Sequence, residues 1–163
     1  MIPFNTLKAQ SLFQGTDPET LQQLTEFGEI VDFKNGERIM SELEGVGQPT
    51  PMILLKLRGQ VAVAKKFIQS EAAADVEFKA IDSEIFGEIS WLLGTSPSAE
   101  LISKGDSRFI RLDGDKLRAL CEANDAFGRV VYQRLAKLLA ERTVNLTQLT
   151  KQKKTEKPSV FEF

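Results

Sequence analysis

Apolar residues recur at three-residue spacing in "TDPETLQQLTEFG" (residues 16–28), where Leu21, Leu24 and Phe27 form the buried stripe of a helix. Thr16 or Asp17 caps it, Pro18 suits its first position, Glu19 suits the positive end of its dipole, and Gly28 is expected to end it. Leu12 and Phe13 precede it and are expected to pack beneath it. From Ile30 the period shortens to two. "EIVDF" reads as a strand, Asn35-Gly36 as a turn of the hairpin type, and "RIM" as the strand that returns. Residues 42–51 carry two glycines and two prolines and read as a loop. "MILLKL" (52–57) is a buried strand, Arg58-Gly59 a turn, and "QVAVAKKF" a strand in which Val61 and Val63 alternate with Ala62 and Ala64. After a tip at "QSEAAAD", Val76, Phe78 and Ala80 share one face of a strand, and "SRFIRLD" (107–113) is the last strand of the series. Short strands with Gly-marked turns predict a mainly β fold of the jelly-roll kind.

The last third changes period again. Asp113 or Asp115 caps "KLRALCEAN", and a long helix follows over residues 125–150. Val131, Leu135, Leu138, Leu139, Arg142, Leu146 and Leu149 lie on one stripe of it. At a rise of about 1.5 Å per residue the helix is about 40 Å long, more than one barrel of this size covers. The distal stripe therefore calls for a partner, most simply the same helix of a second copy, or else folds back on its own barrel. Domain boundaries are expected at residues 1–150, with 151–163 a Lys-rich, solvated tail whose terminal "VFEF" has the form of a strand-addition peptide for a protein partner.

Composition narrows the chemistry. The chain of 163 residues is 42% hydrophobic and 27% charged, which fits one globular domain. Its net charge of −2 argues against nucleic-acid binding by phosphate neutralisation. It contains no histidine, which removes Ser-His-Asp and Cys-His catalysis and, with Cys121 as the single cysteine, the usual zinc sites. Metal-holding jelly-roll enzymes use histidines, so no enzyme, no metal and no resident cofactor are expected. The start "MIPFNTLKAQ" lacks a signal-peptide core and no run is long and apolar enough to span a bilayer; a cytoplasmic protein without a membrane partner is expected.

One stretch carries candidate chemistry. In "IFGEISWLLGTSPSAELIS" (85–103), Ile85 and Phe86 are apolar, Gly87 breaks the run, Glu88 opens a short helical stretch through Ile89 and Ser90, and Ala99 to Ile102 read as a strand. Glycine where a strand meets a helix lets backbone N–H groups approach a phosphate, yet the stretch has no Lys or Arg. Trp91, beside Leu92 on a short helix, reads as core, with stacking on a base as the alternative.

With these elements in order, the chain from about Leu12 to about Leu149 resembles the cyclic nucleotide-binding domain family, the sensor fold of catabolite-activator-type regulators and of cyclic-nucleotide-dependent kinases and channels. The resemblance rests on "SLFQGTDPETLQQL", "FKNGERIMSELEGVGQP", "RGQVAVAK", "IFGEISWLLGTSPSAELIS" and "SRFIRLDGDKLRALCEAN" in this order and spacing. It implies a double-stranded β-helix (jelly-roll) barrel with an N-terminal helix and a long C-terminal helix. It also makes Phe86, Gly87, Glu88, Ile89, Ser90, Pro97, Ser98, Ala99 and Glu100 the phosphate-binding cassette. In the family, the glutamate of Phe-Gly-Glu accepts from the ribose 2′-hydroxyl, and an arginine about nine residues on pairs with the cyclic phosphate.

Phe86, Gly87 and Glu88 match that pattern. Pro97 without gaps, or Ser98 with one inserted residue, stands where the arginine belongs, and Glu100 stands where the family has Thr or Ser. At about 5 Å and an effective dielectric near 20, a carboxylate facing a phosphate costs about 3 kcal/mol. The missing charged hydrogen bond costs about 1.5–3 kcal/mol more. Cyclic AMP or cyclic GMP is therefore not expected to bind in the usual way unless Lys56, Arg58, Arg108 or Arg111 replaces the lost cation. Glu88 either keeps a ribose contact or only completes the turn. Catabolite-activator-type regulators place a helix-turn-helix after the long helix, whereas Lys151 to Phe163 is too short for one. The expectation is a regulatory or interaction module that works through dimerisation of residues 125–150 or through a protein partner; the alternative is a cyclic-nucleotide receptor with another phosphate partner.

Overall fold

Asp17 accepts a hydrogen bond from the backbone N–H of Thr20 at 3.0 Å and one from its hydroxyl at 2.7 Å, and Pro18 opens the helix behind it. This places the start of the helix in a computed structural model that describes residues 1–40, 51–65, 76–79, 83–95 and 100–155. The order is α1 (Phe4–Lys8), a 3-10 turn (Ser11–Phe13), α2 (Pro18–Leu24), β1 (Gly28–Phe33), β2 (Arg38–Met40), β3 (Met52–Lys65), β4 (Val76–Lys79), β5 (Ile85–Phe86), α3 (Glu88–Leu93), β6 (Glu100–Asp113), α4 (Gly114–Ala123) and α5 (Asp125–Thr155). The expected loop at 42–51 and tip at "QSEAAAD" fall largely outside the described residues.

The described strands form one antiparallel sheet ordered β1-β6-β3-β4, with β2 also on β6 and β5 also on β3. Several boundaries differ from the periodicity. α1 was not expected at all. α2 ends at Leu24, and Gly28 is not its stop but the first residue of β1, opposite Leu112. Gly36 does turn the chain, at φ 84°, but β1 and β2 do not pair with each other; each pairs with β6. Arg58-Gly59 is not a hairpin turn. It is an irregularity inside the single strand β3, where the register against β6 shifts on either side of Arg58. Gly59 has φ 96°, and a Cβ there would lie 2.7 Å from the Cα of Ser107, so only glycine fits the bend.

Alternation along the strands buries both faces of the sheet. Ile53, Leu55, Ile85, Ile110 and Leu112 join the helix-side core with Phe13, Leu21, Trp91, Leu117, Phe127 and Val131. Leu54, Val61, Phe86, Leu101 and Phe109 form a second cluster with Phe33, Ile39 and Met40. Phe109 meets Phe33 and Phe86 edge-on, with ring centroids 5.9 and 6.0 Å apart. Phe13 stacks on Phe127, which ties the N-terminal turn to α5 rather than to α2 alone. Asp113, not Asp115, caps α4, accepting from the N–H groups of Asp115 and Lys116.

α5 continues past Thr150 to Thr155, so residues 151–155 are helical. From Arg129 to Lys157 the sequence holds no glycine or proline, and the Lys-rich last turn suits the negative end of the dipole.

Candidate functional site

β5 supplies the base of the site. Ile85 and Phe86 pair with Leu55 and Leu54 of β3, one pointing to each core cluster. The chain then turns at Gly87, in the left-handed region at φ 82°, with the carbonyl of Met52 where a Cβ would stand. Gly87 caps α3, and its carbonyl accepts from the N–H of Trp91 at 3.0 Å.

This turn buries Glu88, whose side chain is 3% exposed. Its partner is Arg142 of α5, whose guanidinium also donates to the Ser83 hydroxyl and, at 2.7 Å, to the carbonyl of Ile85. Thus Glu88 is neither a bare carboxylate nor only a turn residue. It is half of a partly buried ion pair between the Gly87 turn and the C-terminal helix. Removing one member of such a pair typically costs about 3–5 kcal/mol, because the other is left in a poor solvent for charge.

α3 is held from two further sides. The indole N–H of Trp91 donates to the carbonyl of Gly114 at 2.7 Å. The Arg118 guanidinium donates to the Trp91 carbonyl and lies 4.8 Å from the indole ring centre. Tyr132 of α5 stacks on the indole at 5.5 Å. Trp91 is fully buried, as the reading of it as core requires. Burial is the main cause that raises the Tyr132 phenol above its ordinary value. Ser90 is buried beside Trp91, while Ile89 is 47% exposed and Leu93 is 69% exposed.

Pro97, Ser98 and Ala99 lie outside the described residues. Glu100 opens β6, is buried, and pairs with Arg38 of β2 at 3.5 Å. Among the described residues, Arg38 is a cation beside Glu100 and Arg142 is one beside Glu88. Arg108 and Arg111, candidates from the sequence, instead pair across β1 and β6 with Asp32 and Glu29 on an exposed ladder. The Arg108 hydrogen bonds hold the Asp32 carboxyl below its ordinary value. Neither arginine pairing was visible from the sequence. The one available signal was a charged residue, Arg142, in an otherwise apolar helical stripe.

Of the remaining stripe, Val131 and Leu135 are buried in the core, Leu138 and Leu139 are half-buried, and Leu146 is 60% exposed. The side chain of Leu149 lies outside the described residues. Cys121 is buried against this helix, and burial pushes its thiol up to about 11, so it is not a reactive group. Among the described residues no cluster of ligating side chains could hold a metal ion, and no helix is long and apolar enough to cross a membrane.

No family model matches the sequence. Solved structures do match the arrangement. A cyclic nucleotide-binding domain from Methylobacillus flagellatus superposes with a TM-score of 0.69 at 22% identity, over 92% of this chain and 81% of that one. The fold is that of a cyclic nucleotide-binding domain. The same jelly roll and C-terminal helix occur in the Thermus thermophilus catabolite activator protein, at TM-score 0.62 and 21% identity over 86% of this chain. They also occur in the regulatory domain of Toxoplasma gondii PKA solved with cAMP, at TM-score 0.63 and 19% identity over 85% of this chain. This chain spans 63% of the Thermus protein and 48% of the Toxoplasma chain.

Proposed function

We propose that this chain is a non-enzymatic regulatory or interaction module that uses the cyclic nucleotide-binding fold without holding cyclic AMP or cyclic GMP in the usual way. The observation that carries the reading is the Glu88–Arg142 pair. The carboxylate that would face a ribose hydroxyl in a ligand-bound domain already has a cationic partner from α5. Glu100, at the position of the hydroxyl that would meet the phosphate, supports the same reading, as does the sequence at Pro97 and Ser98, which offers no cation. No cofactor, nucleic acid or membrane partner belongs to this reading, and its setting is cytoplasmic. Output then runs through α5, by dimerisation or by a protein partner on the helix or the tail. The exposed Val144 and Leu146 are the part of α5 that supports such an interface.

A second reading, a cyclic-nucleotide receptor with another phosphate partner, is favoured by Arg38. Its guanidinium is largely exposed and already reaches Glu100. Calorimetric titration with cyclic AMP and cyclic GMP separates the two readings. The first expects no binding at micromolar concentration for the wild type and a gain of binding in Pro97→Arg, Glu100→Thr. Tight wild-type binding that is lost in Arg38→Ala establishes the second. Sedimentation of the full chain against a truncation at Asn145 tests dimerisation. A monomer in both removes the dimer and leaves only a protein partner.

A further inference from the structure

An asparagine carboxamide is most open to attack by its own backbone when glycine follows, because no side chain then shields the next nitrogen. This chain has that dipeptide once, at Asn35-Gly36, between β1 and β2. Both residues are exposed. The N–H of Glu37 closes the turn on the carbonyl of Lys34 at 3.0 Å. Residues 103–107 of β6, which bend at Gly105 with φ 75°, are bonded across to it. The N–H of Gly36 donates to the Ser103 carbonyl at 2.8 Å, and the Ser103 N–H donates to the Glu37 carbonyl at 2.9 Å. The Gly105 N–H donates to Oδ1 of Asn35 at 2.8 Å. The bend is itself pinned by the buried Ser103 hydroxyl, which donates to the Gly105 carbonyl at 2.7 Å and lies 2.6 Å from the Ser107 hydroxyl. The two groups that would react, the Gly36 nitrogen and the Asn35 carboxamide, are therefore each tied to β6.

We propose that Asn35-Gly36 is a self-deamidating site gated by the fold, closed while residues 103–107 hold the turn and open when they lift from it. The Gly36 nitrogen gives up its proton to solvent and forms a bond to Cγ of Asn35. The bond from Cγ to the carboxamide nitrogen breaks, and that nitrogen takes a proton from water and leaves as ammonia. One water then opens the cyclic imide at either carbonyl, which leaves aspartate or isoaspartate at position 35. Nothing is oxidised or reduced, and water is the sole co-reactant. The gate acts on the nucleophile. By itself the Gly105 N–H polarises the carboxamide toward attack, but the Gly36 N–H is held on the Ser103 carbonyl and cannot turn its nitrogen onto Cγ. The products differ in their effect. Aspartate keeps an acceptor opposite the Gly105 N–H. Isoaspartate inserts a methylene into the main chain directly before β2, which draws Gly36 away from Ser103 and keeps the bend open. This site goes beyond the proposed function and needs neither a ligand nor a partner.

Incubation of the full chain at pH 8, native and in urea, followed by peptide mapping with mass spectrometry, tests the site. The map separates the asparagine, aspartate and isoaspartate forms of the peptide that holds position 35. Two hydrogen bonds of ordinary net strength engage the reacting groups, so the native chain should convert about thirtyfold more slowly than the unfolded one. A ratio below about tenfold overturns the gate. Absence of conversion at Asn35 in urea overturns the site altogether. Ser103→Ala removes the hydroxyl that pins the bend and leaves the backbone bonds to the turn in place. Losing one such bond should speed native conversion by about fivefold. Ser107→Ala cuts the same hydroxyl pair from its other end and serves if the first variant does not fold. An unchanged native rate in a folded variant overturns the bend as the gate. Nucleotide binding in the calorimetry bears on the proposed function alone and leaves this result standing.

Discussion

Replacing Trp91 with Phe keeps an aromatic ring in α3 and deletes the group that ties the ring to α4. The indole N–H donates to the Gly114 carbonyl at 2.7 Å in a fully buried setting. Losing that bond, with the acceptor left short of a donor, costs about 1–3 kcal/mol. The smaller ring leaves a void of about 40 Å³, which at about 24 cal/mol per Å³ adds about 1 kcal/mol. The stacking on Tyr132 is largely kept. The sum is about 2–4 kcal/mol, or roughly 4–16 °C in Tm for a chain of this size. Urea unfolding followed by far-ultraviolet circular dichroism measures it, since the variant removes the only tryptophan in the chain. A loss below about 0.5 kcal/mol, the range of ordinary surface substitutions, would refute the claim that α4 helps hold α3.

Gly87→Ala places a side chain at φ 82° against the Met52 carbonyl. It should cost at least about 1–2 kcal/mol from the left-handed backbone alone, read as a lower urea midpoint. Cys121, with a thiol raised to about 11, should react with iodoacetamide in the native state far more slowly than in urea at pH 8, and equal rates would contradict its burial. The Asp17 carboxyl is held below its ordinary 3.8, first by the backbone N–H of Thr20 and then by its hydroxyl. A folded value below the unfolded one gives stability that is present above 3.8 and lost as pH falls through the folded value. The gap in urea midpoint between wild type and Asp17→Ala should therefore be full at neutral pH and narrow in acid.

Features decided within a few residues were legible from the sequence. The Asp17-Pro18 helix start, the Gly87 break and the buried strand at residues 52–57 all follow from local chain chemistry. Glycines whose meaning depends on a distant neighbour were misread. Gly59 looks like a turn until β6 is seen to run alongside it, and Gly28 looks like a helix stop until Leu112 is opposite. The site divides in the same way. Phe86, Gly87 and Glu88 announced themselves, whereas their cationic partner sits 54 positions later in a helix whose spacing made it look like one more stripe residue. Arg108 and Arg111 were plausible pocket cations because a strand sequence does not say which neighbour's carboxylates will flank it.

β6 has a consequence for how the protein is made. Among the described residues, β1 and β2 have no strand partner except β6, and β3 pairs with it along most of its length. A ribosome must therefore deliver the chain as far as Asp113 before the earliest strands can close their hydrogen bonds. Until then Ile30, Val31 and Phe33 wait beside unpaired backbone, a state in which strands find the wrong neighbours. Nascent chains stalled at Leu93 should be cut by protease within residues 28–40, and chains extended past Ala123 should resist.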